Sequence, residues 1–79
     1  MWNHRIIRHE TGTEEEYLAV HEVYYDDDNN PHSCTSEPIH IIEEDLEGMK
    51  WTISKIQEAT DKPILEYQYF LDMEKGSEQ

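Results

Sequence analysis

Five histidines set among nineteen carboxylates are the residues of this chain whose types suit metal binding or general acid–base catalysis. Zinc wants His or Cys side chains that converge, such as a pair four apart on one helix face. His4, His9, His21, His32 and His40 all lie off the predicted helix, and none repeats at i, i+2 along a predicted strand. His21 and Glu22 are neighbours, so a strand sends them to opposite faces and they cannot hold one ion together. His4 and Glu22 do fall beside one another when the first two predicted strands are paired. With His21 they form a candidate polar site, for which a salt bridge is as good a reading as a ligand set. A small metal-binding protein is thus an alternative, but no specific metal site and no cofactor are expected.

Asp26-Asp27-Asp28-Asn29-Asn30 has the opening of a calcium loop without the glycine at its sharp turn or the distal bidentate Glu, so a solvated turn is expected. There is no GxSxG, no P-loop and no paired-glycine dinucleotide motif, and nineteen carboxylates nominate no particular acid–base pair. No enzyme is expected. The single cysteine, Cys34, excludes an internal disulfide and has no CxxC partner. A reduced thiol, the absence of an apolar leader and the absence of a spanning apolar run point to a cytoplasmic protein.

The charge is more informative. Nineteen Asp and Glu against six Lys and Arg give a formal net charge of -13, which disfavours direct binding to nucleic acid or to an anionic membrane and favours a basic protein surface. Acids cluster at Glu14, Glu15 and Glu16, at Asp26, Asp27 and Asp28, and from Glu43 to Glu47. Such runs are ordinarily solvated surface. Set on a rigid scaffold, they also imitate the phosphate spacing of a nucleic acid, as an inhibitor of nucleic-acid-binding machinery would. Trp51 is the sharpest single residue. The stripe Leu46, Met49, Ile53, Ile56 and Thr60 turned inward leaves Trp51 nearly opposite, with Lys55 four residues on and able to cover the indole by a cation–π contact. Trp51 is then either wrapped by a loop or an exposed aromatic anchor at an interface, with Tyr25 beside the second acidic cluster as a further anchor.

These residues must be positioned by a small α+β domain, for 79 residues provide one modest core. Trp2 to His9 and Tyr17 to Tyr25 are rich in strand formers around a polar turn centred near Thr13, and predict a β-hairpin pairing Trp2 with Tyr24, His4 with Glu22, Ile6 with Val20 and Arg8 with Leu18. Asn3 with Val23, Arg5 with His21, Ile7 with Ala19 and His9 with Tyr17 make the other face. Neither face is wholly polar, although a sheet covered on one side normally leaves a polar second face. Asp26 to Pro38 reads as a loop, and Ile39 to Ile42 as a short third strand or the lead-in to a helix. That helix runs from about Glu43–Asp45 to Thr60, its N-terminal acids favoured by the dipole. Leu65, Tyr67, Tyr69 and Leu71 alternate as a last strand. The order is β-β-(β)-α-β: a small antiparallel sheet, the hairpin plus one or two further strands, with one amphipathic helix packed on it. Residues 1–74 form the domain and 75–79 a flexible tail.

Trp2-Asn3-His4-Arg5-Ile6-Ile7-Arg8, His21-Glu22-Val23-Tyr24-Tyr25-Asp26 and Asp61-Lys62-Pro63-Ile64-Leu65-Glu66-Tyr67 resemble a family of small uncharacterised bacterial and phage-borne proteins reading W-N-x-R-(V/I)-(V/I)-R, H-E-V-Y-Y-D and D-K-P-(V/I)-L-x-Y. The resemblance spans Trp2 to Tyr67 and implies a shared fold without an activity; the family usually has an aromatic where His4 stands. The function expected is a non-enzymatic acidic interaction module that engages a basic protein surface or itself. Its sharper form is a nucleic-acid-mimicking inhibitor of phage anti-defence type, and its alternative is a structural homodimer built on an uncovered sheet face.

Overall fold

Eight residue pairs, from Trp2↔Tyr24 to His9↔Tyr17, zip β1 (Trp2–His9) to β2 (Tyr17–Tyr25) in the computed structural model, in the register the alternation predicts. The model describes residues 1–77 of the chain, with side chains through 74; Glu78 and Gln79 of the expected tail lie outside the described residues. Glu10, at φ 56°, and Gly12, at φ 82°, take the left-handed backbone that the turn requires. β3 (Pro31–Cys34) adds to the free edge of β2, and the two-residue β4 (Leu65–Glu66) adds parallel to β1, giving the sheet order β3-β2-β1-β4.

Two helices cover this sheet. α1 (Leu46–Ala59) starts at an Asp45 cap whose carboxylate accepts the Gly48 amide at 2.7 Å, and it packs on the face carrying Trp2, His4, Ile6 and Val20. α2 (Tyr67–Ser77) lies on the other face, where Phe70 joins Ile7 and Val23 in the core with Tyr25, Cys34, Leu65 and Tyr67 around them. Both faces of the hairpin carry apolar residues because a helix packs on each, α2 over the core and α1 over only part of its face. Trp2, Leu18 and Tyr24 stay exposed on the α1 side.

The structure bears out the α+β class and corrects four details. The third strand is Pro31–Cys34, inside the expected loop, while Ile39 to Ile42 is the lead-in, with the Ile39 amide bonded to the Val20 carbonyl. Tyr67 to Leu71 is helical rather than extended. The alternation of Leu65, Tyr67, Tyr69 and Leu71 concealed the spacing Tyr67, Phe70, Leu71, which is helical and holds the most buried residue of the segment. The sheet is mixed rather than antiparallel, because the short β4 that precedes α2 pairs parallel to β1.

Fourth, α1 is rotated from its predicted stripe. Thr52 and Ala59 are buried, with Met49 and Ile56 half-buried beside them, whereas Leu46 is 67% and Ile53 52% exposed. Small residues at the contact line let the helix axis approach a sheet face that already carries bulky rings. Replacing Ala59 with Leu should therefore cost about 1–3 kcal/mol through overpacking. Ile53→Gln should stay within about 0.5 kcal/mol in urea denaturation. The reverse ranking would restore the predicted stripe.

Arg5 ties three elements together under this arrangement. Its guanidinium donates to the Tyr25 hydroxyl at 2.9 Å and to the Pro63 carbonyl at 2.8 Å, and the Tyr25 hydroxyl donates on to Asn3 Oδ1. Arg8 pairs with Glu66 at 2.6 Å, whose other oxygen accepts from Thr11, fixing β4 against β1 and the hairpin turn.

Candidate functional site

Trp2 and Trp51 are the ring pair from which the site is built. β1 brings Trp2 to the α1 side of the sheet, and the first turns of α1 place Trp51 there as well; the two remain 47% and 57% exposed. The exposed alternative for Trp51 is the one observed. Lys55 Nζ stands 5.5 Å from the Trp51 ring centroid and 3.7 Å from Glu58, so the indole already takes a cation on one side.

Trp2, His4 and Trp51 form a wall between two clefts. On one side they face Asn3, Lys55, Glu58, Ala59 and Lys62 across about 280 Å³. On the other they face Tyr24, Glu22, Glu37, Glu43 and Thr52 across a more open groove of about 700 Å³. The wall thus sorts charge: both lysines lie on one side and three carboxylates on the other. Among the described residues, no Lys or Arg lines the acidic groove.

One of its carboxylates is firmly positioned. The Thr52 hydroxyl, buried on α1, donates a short hydrogen bond to Glu43 Oε1. Gly48 leaves room for that side chain, since a Cβ there would stand 3.2 Å from both Glu43 Oε2 and Asp45 Oδ1. Glu22 receives the Tyr24 hydroxyl at 3.5 Å from the next position on the same face of β2. His4 lies opposite Glu22 in the register, and its ring stands edge-on to Trp2 at 5.4 Å.

The expected interface residues are dispersed by the fold. Glu14 to Glu16 lie at the β1–β2 turn and Asp26 to Asp28 at the β2–β3 turn, at opposite ends of the nine-residue β2 and so roughly 30 Å apart at about 3.4 Å per residue. Two of these acids serve their own turns. Asp26 Oδ1 accepts the amides of Asp28 and Asn30, and Glu16 Oε1 accepts that of Gly12. Tyr25 is half-buried in the Arg5 network, on the α2 side of the sheet. His21 points away from Glu22 and His4, so those three do not form one site.

Sequence reasoning missed the partner that His21 does have. Across the α2 face, His21 Nε2 lies 2.8 Å from His9 Nε2, both rings being buried. The Thr35 carbonyl, 2.9 Å from His21 Nδ1, can only accept, so Nδ1 carries a proton. Neutral His21 then accepts at Nε2 from His9 Nε2–H. His9 is stacked between Tyr17, 4.8 Å away, and Tyr67, 4.4 Å away. The signal was available in the placement of His9 and His21 on one hairpin face, but their register levels are separated by the Ile7–Ala19 pair. Among the described residues, no three His, Cys, Asp or Glu side chains converge as a metal site. Cys34 is held half-buried against the core, and burial raises its thiol pKa above the ordinary value, which makes it a poor nucleophile.

Burial, followed by the neighbouring His21, lowers the His9 pKa below 6.5, against a smaller opposing pull from Glu10. A lowered imidazole pKa means that the unfolded chain binds the proton more readily. This stabilisation is therefore complete above about pH 6.5 and is lost as pH falls below it. The melting temperature should decline between about pH 6.5 and pH 5.5, before carboxylates titrate, and the His9 ring should titrate by NMR below an unstructured histidine. A His9 midpoint at or above that reference would contradict the burial of His9 in neutral form.

Comparison with protein-family models, with curated proteins and with solved structures gives no match.

Proposed function

We propose that this protein is a non-enzymatic interaction module whose partner is a basic protein surface. The observation that carries this reading is the groove in which two exposed tryptophans and Tyr24 stand with Glu22, Glu37 and Glu43 and, among the described residues, no Lys or Arg. Exposed aromatic anchors supply contact area, and carboxylates supply steering and selection against anions. The chain's cations are largely engaged at home: Arg5 is buried, Arg8 pairs with Glu66, and Lys50 and Lys55 stand within 4 Å of Glu47 and Glu58. In the sharper form of this reading, the acidic turns at the two ends of β2 act with the groove to occupy a nucleic-acid channel.

Anisotropy of a labelled Arg- and Lys-rich peptide should show binding that weakens steeply between about 0.1 and 1 M salt, as the screening length falls from about 10 to about 3 Å. Trp51→Ala should weaken it at every salt concentration, by about tenfold. Affinity that is flat with salt would contradict the reading. The channel-blocking form further requires that Asp27→Lys with Asp28→Lys reduce inhibition of a nucleic-acid-binding protein. Asp26 is left intact there because its side chain holds the turn.

A second reading, self-association, is favoured by the exposure of Ile41, Ile42, Leu46 and Ile53 on α1 and its lead-in, all above one half. Light scattering over a dilution series should then show a dimer that Ile53→Gln disrupts; a monomer at every concentration would exclude it.

A further inference from the structure

The groove's chemistry selects among basic side chains, and we infer that it seats the guanidinium of an arginine from the partner. The inference rests on the basic-partner reading above and names the group that is recognised. Three features of the groove point to it.

The aromatic faces come first. Trp2, Tyr24 and Trp51 are each more than one-third exposed, in a groove that no side chain of the described chain fills. A guanidinium is planar and weakly hydrated, so it stacks on such rings at low desolvation cost, whereas an ammonium holds its water more tightly. Lys55 on the far side of Trp51 shows the ring accepting a cation, and it leaves the acidic side without one.

The carboxylates come second. Glu43 is braced by Thr52 over the first turn of α1, and Glu22 lines the groove from β2, so the two reach it from different elements. Two carboxylates that approach from different directions suit a forked donor with several N–H groups, which an ammonium reproduces less well. The Glu43 brace occupies Oε1, leaving its other lone pairs for a ligand.

The shape comes third. The groove is open along one side rather than enclosed, which admits a side chain still attached to a folded or extended partner. A closed cage would suit a methylated ammonium better. Three carboxylates exclude phosphate or nucleic acid as the occupant.

Two peptides of equal length and charge, one with arginines and one with lysines, separate this inference from the broader reading. Tryptophan fluorescence and anisotropy are recorded on the full chain and on two charge-matched variants, Glu22→Gln with Glu43→Gln and Asp61→Asn with Asp72→Asn, the latter pair lying outside the groove and the acidic turns. Gln retains an oxygen to accept from Thr52, and circular dichroism verifies that both variants fold. The arginine peptide should bind about tenfold tighter than the lysine peptide and should quench the indoles. The groove variant should lose about tenfold for arginine and the control variant under twofold, although each removes the same charge. Equal binding of the two peptides, or equal losses from the two variants, would overturn the arginine seat while salt-dependent binding preserved the basic-partner reading. Absence of binding by either peptide would overturn both.

Discussion

The register of β1 on β2 sorts this chain into two environments. A slip of one residue would put Ile7 and His9 of β1 on the opposite face from Val23 and His21 of β2, and would part Trp2 from Tyr24 and Glu22. The observed register gives a closed face and an open one. Under α2, Ile7, Val23 and Phe70 form the dry part of the core, with the His9–His21 pair buried on the same face. Under α1, small residues bring the helix close along part of its length, and the rings near its N-terminal half line a groove open to solvent.

That division places the chemistry. Buried polar groups on the α2 side are bonded to one another or to backbone, as burial demands. Arg5 is the costly member, since its partners are a phenol and a carbonyl and its Nε is buried without a partner. On the α1 side the polar groups are carboxylates with oxygens still free to accept, beside aromatic surface. Only the second arrangement is suited to a partner that comes from outside. The acidic turns, which dominate the composition, lie far from one another and partly serve their own backbone.

Much of this was legible in the sequence, and the failures have physical causes. The hairpin register followed from two strand-forming runs around one polar turn, and the α1 boundaries from an acidic start and the coming Pro63. Opposite faces for His21 and Glu22 followed from the period of a strand. The rotation of α1 did not, because apolar spacing locates a stripe only to within a residue, and Thr52 and Ala59 carry no hydropathy signal strong enough to compete with Leu46 and Ile53. α2 was hidden because Leu65 to Leu71 satisfies period 2 and period 3.6 at once. β3 was hidden by Pro31, which is tolerated at the first position of an edge strand but reads as a loop former. The groove needed tertiary structure: Trp2, Glu22, Glu43 and Trp51 come from three elements and their connection, and no local pattern joins them.

The proposed recognition depends on the open α1 face and not on acidity in general. A two-dimensional NMR titration with an arginine-rich peptide separates the two, because each face carries its own reporters. The indole N–H signals of Trp2 and Trp51 should shift together with the amides of Glu22 and Glu43, while the Ile7 methyls, the His9 and His21 rings and the amides of Glu14 to Glu16 stay in place. Shifts confined to the acidic turns, with both indoles unmoved, would contradict it.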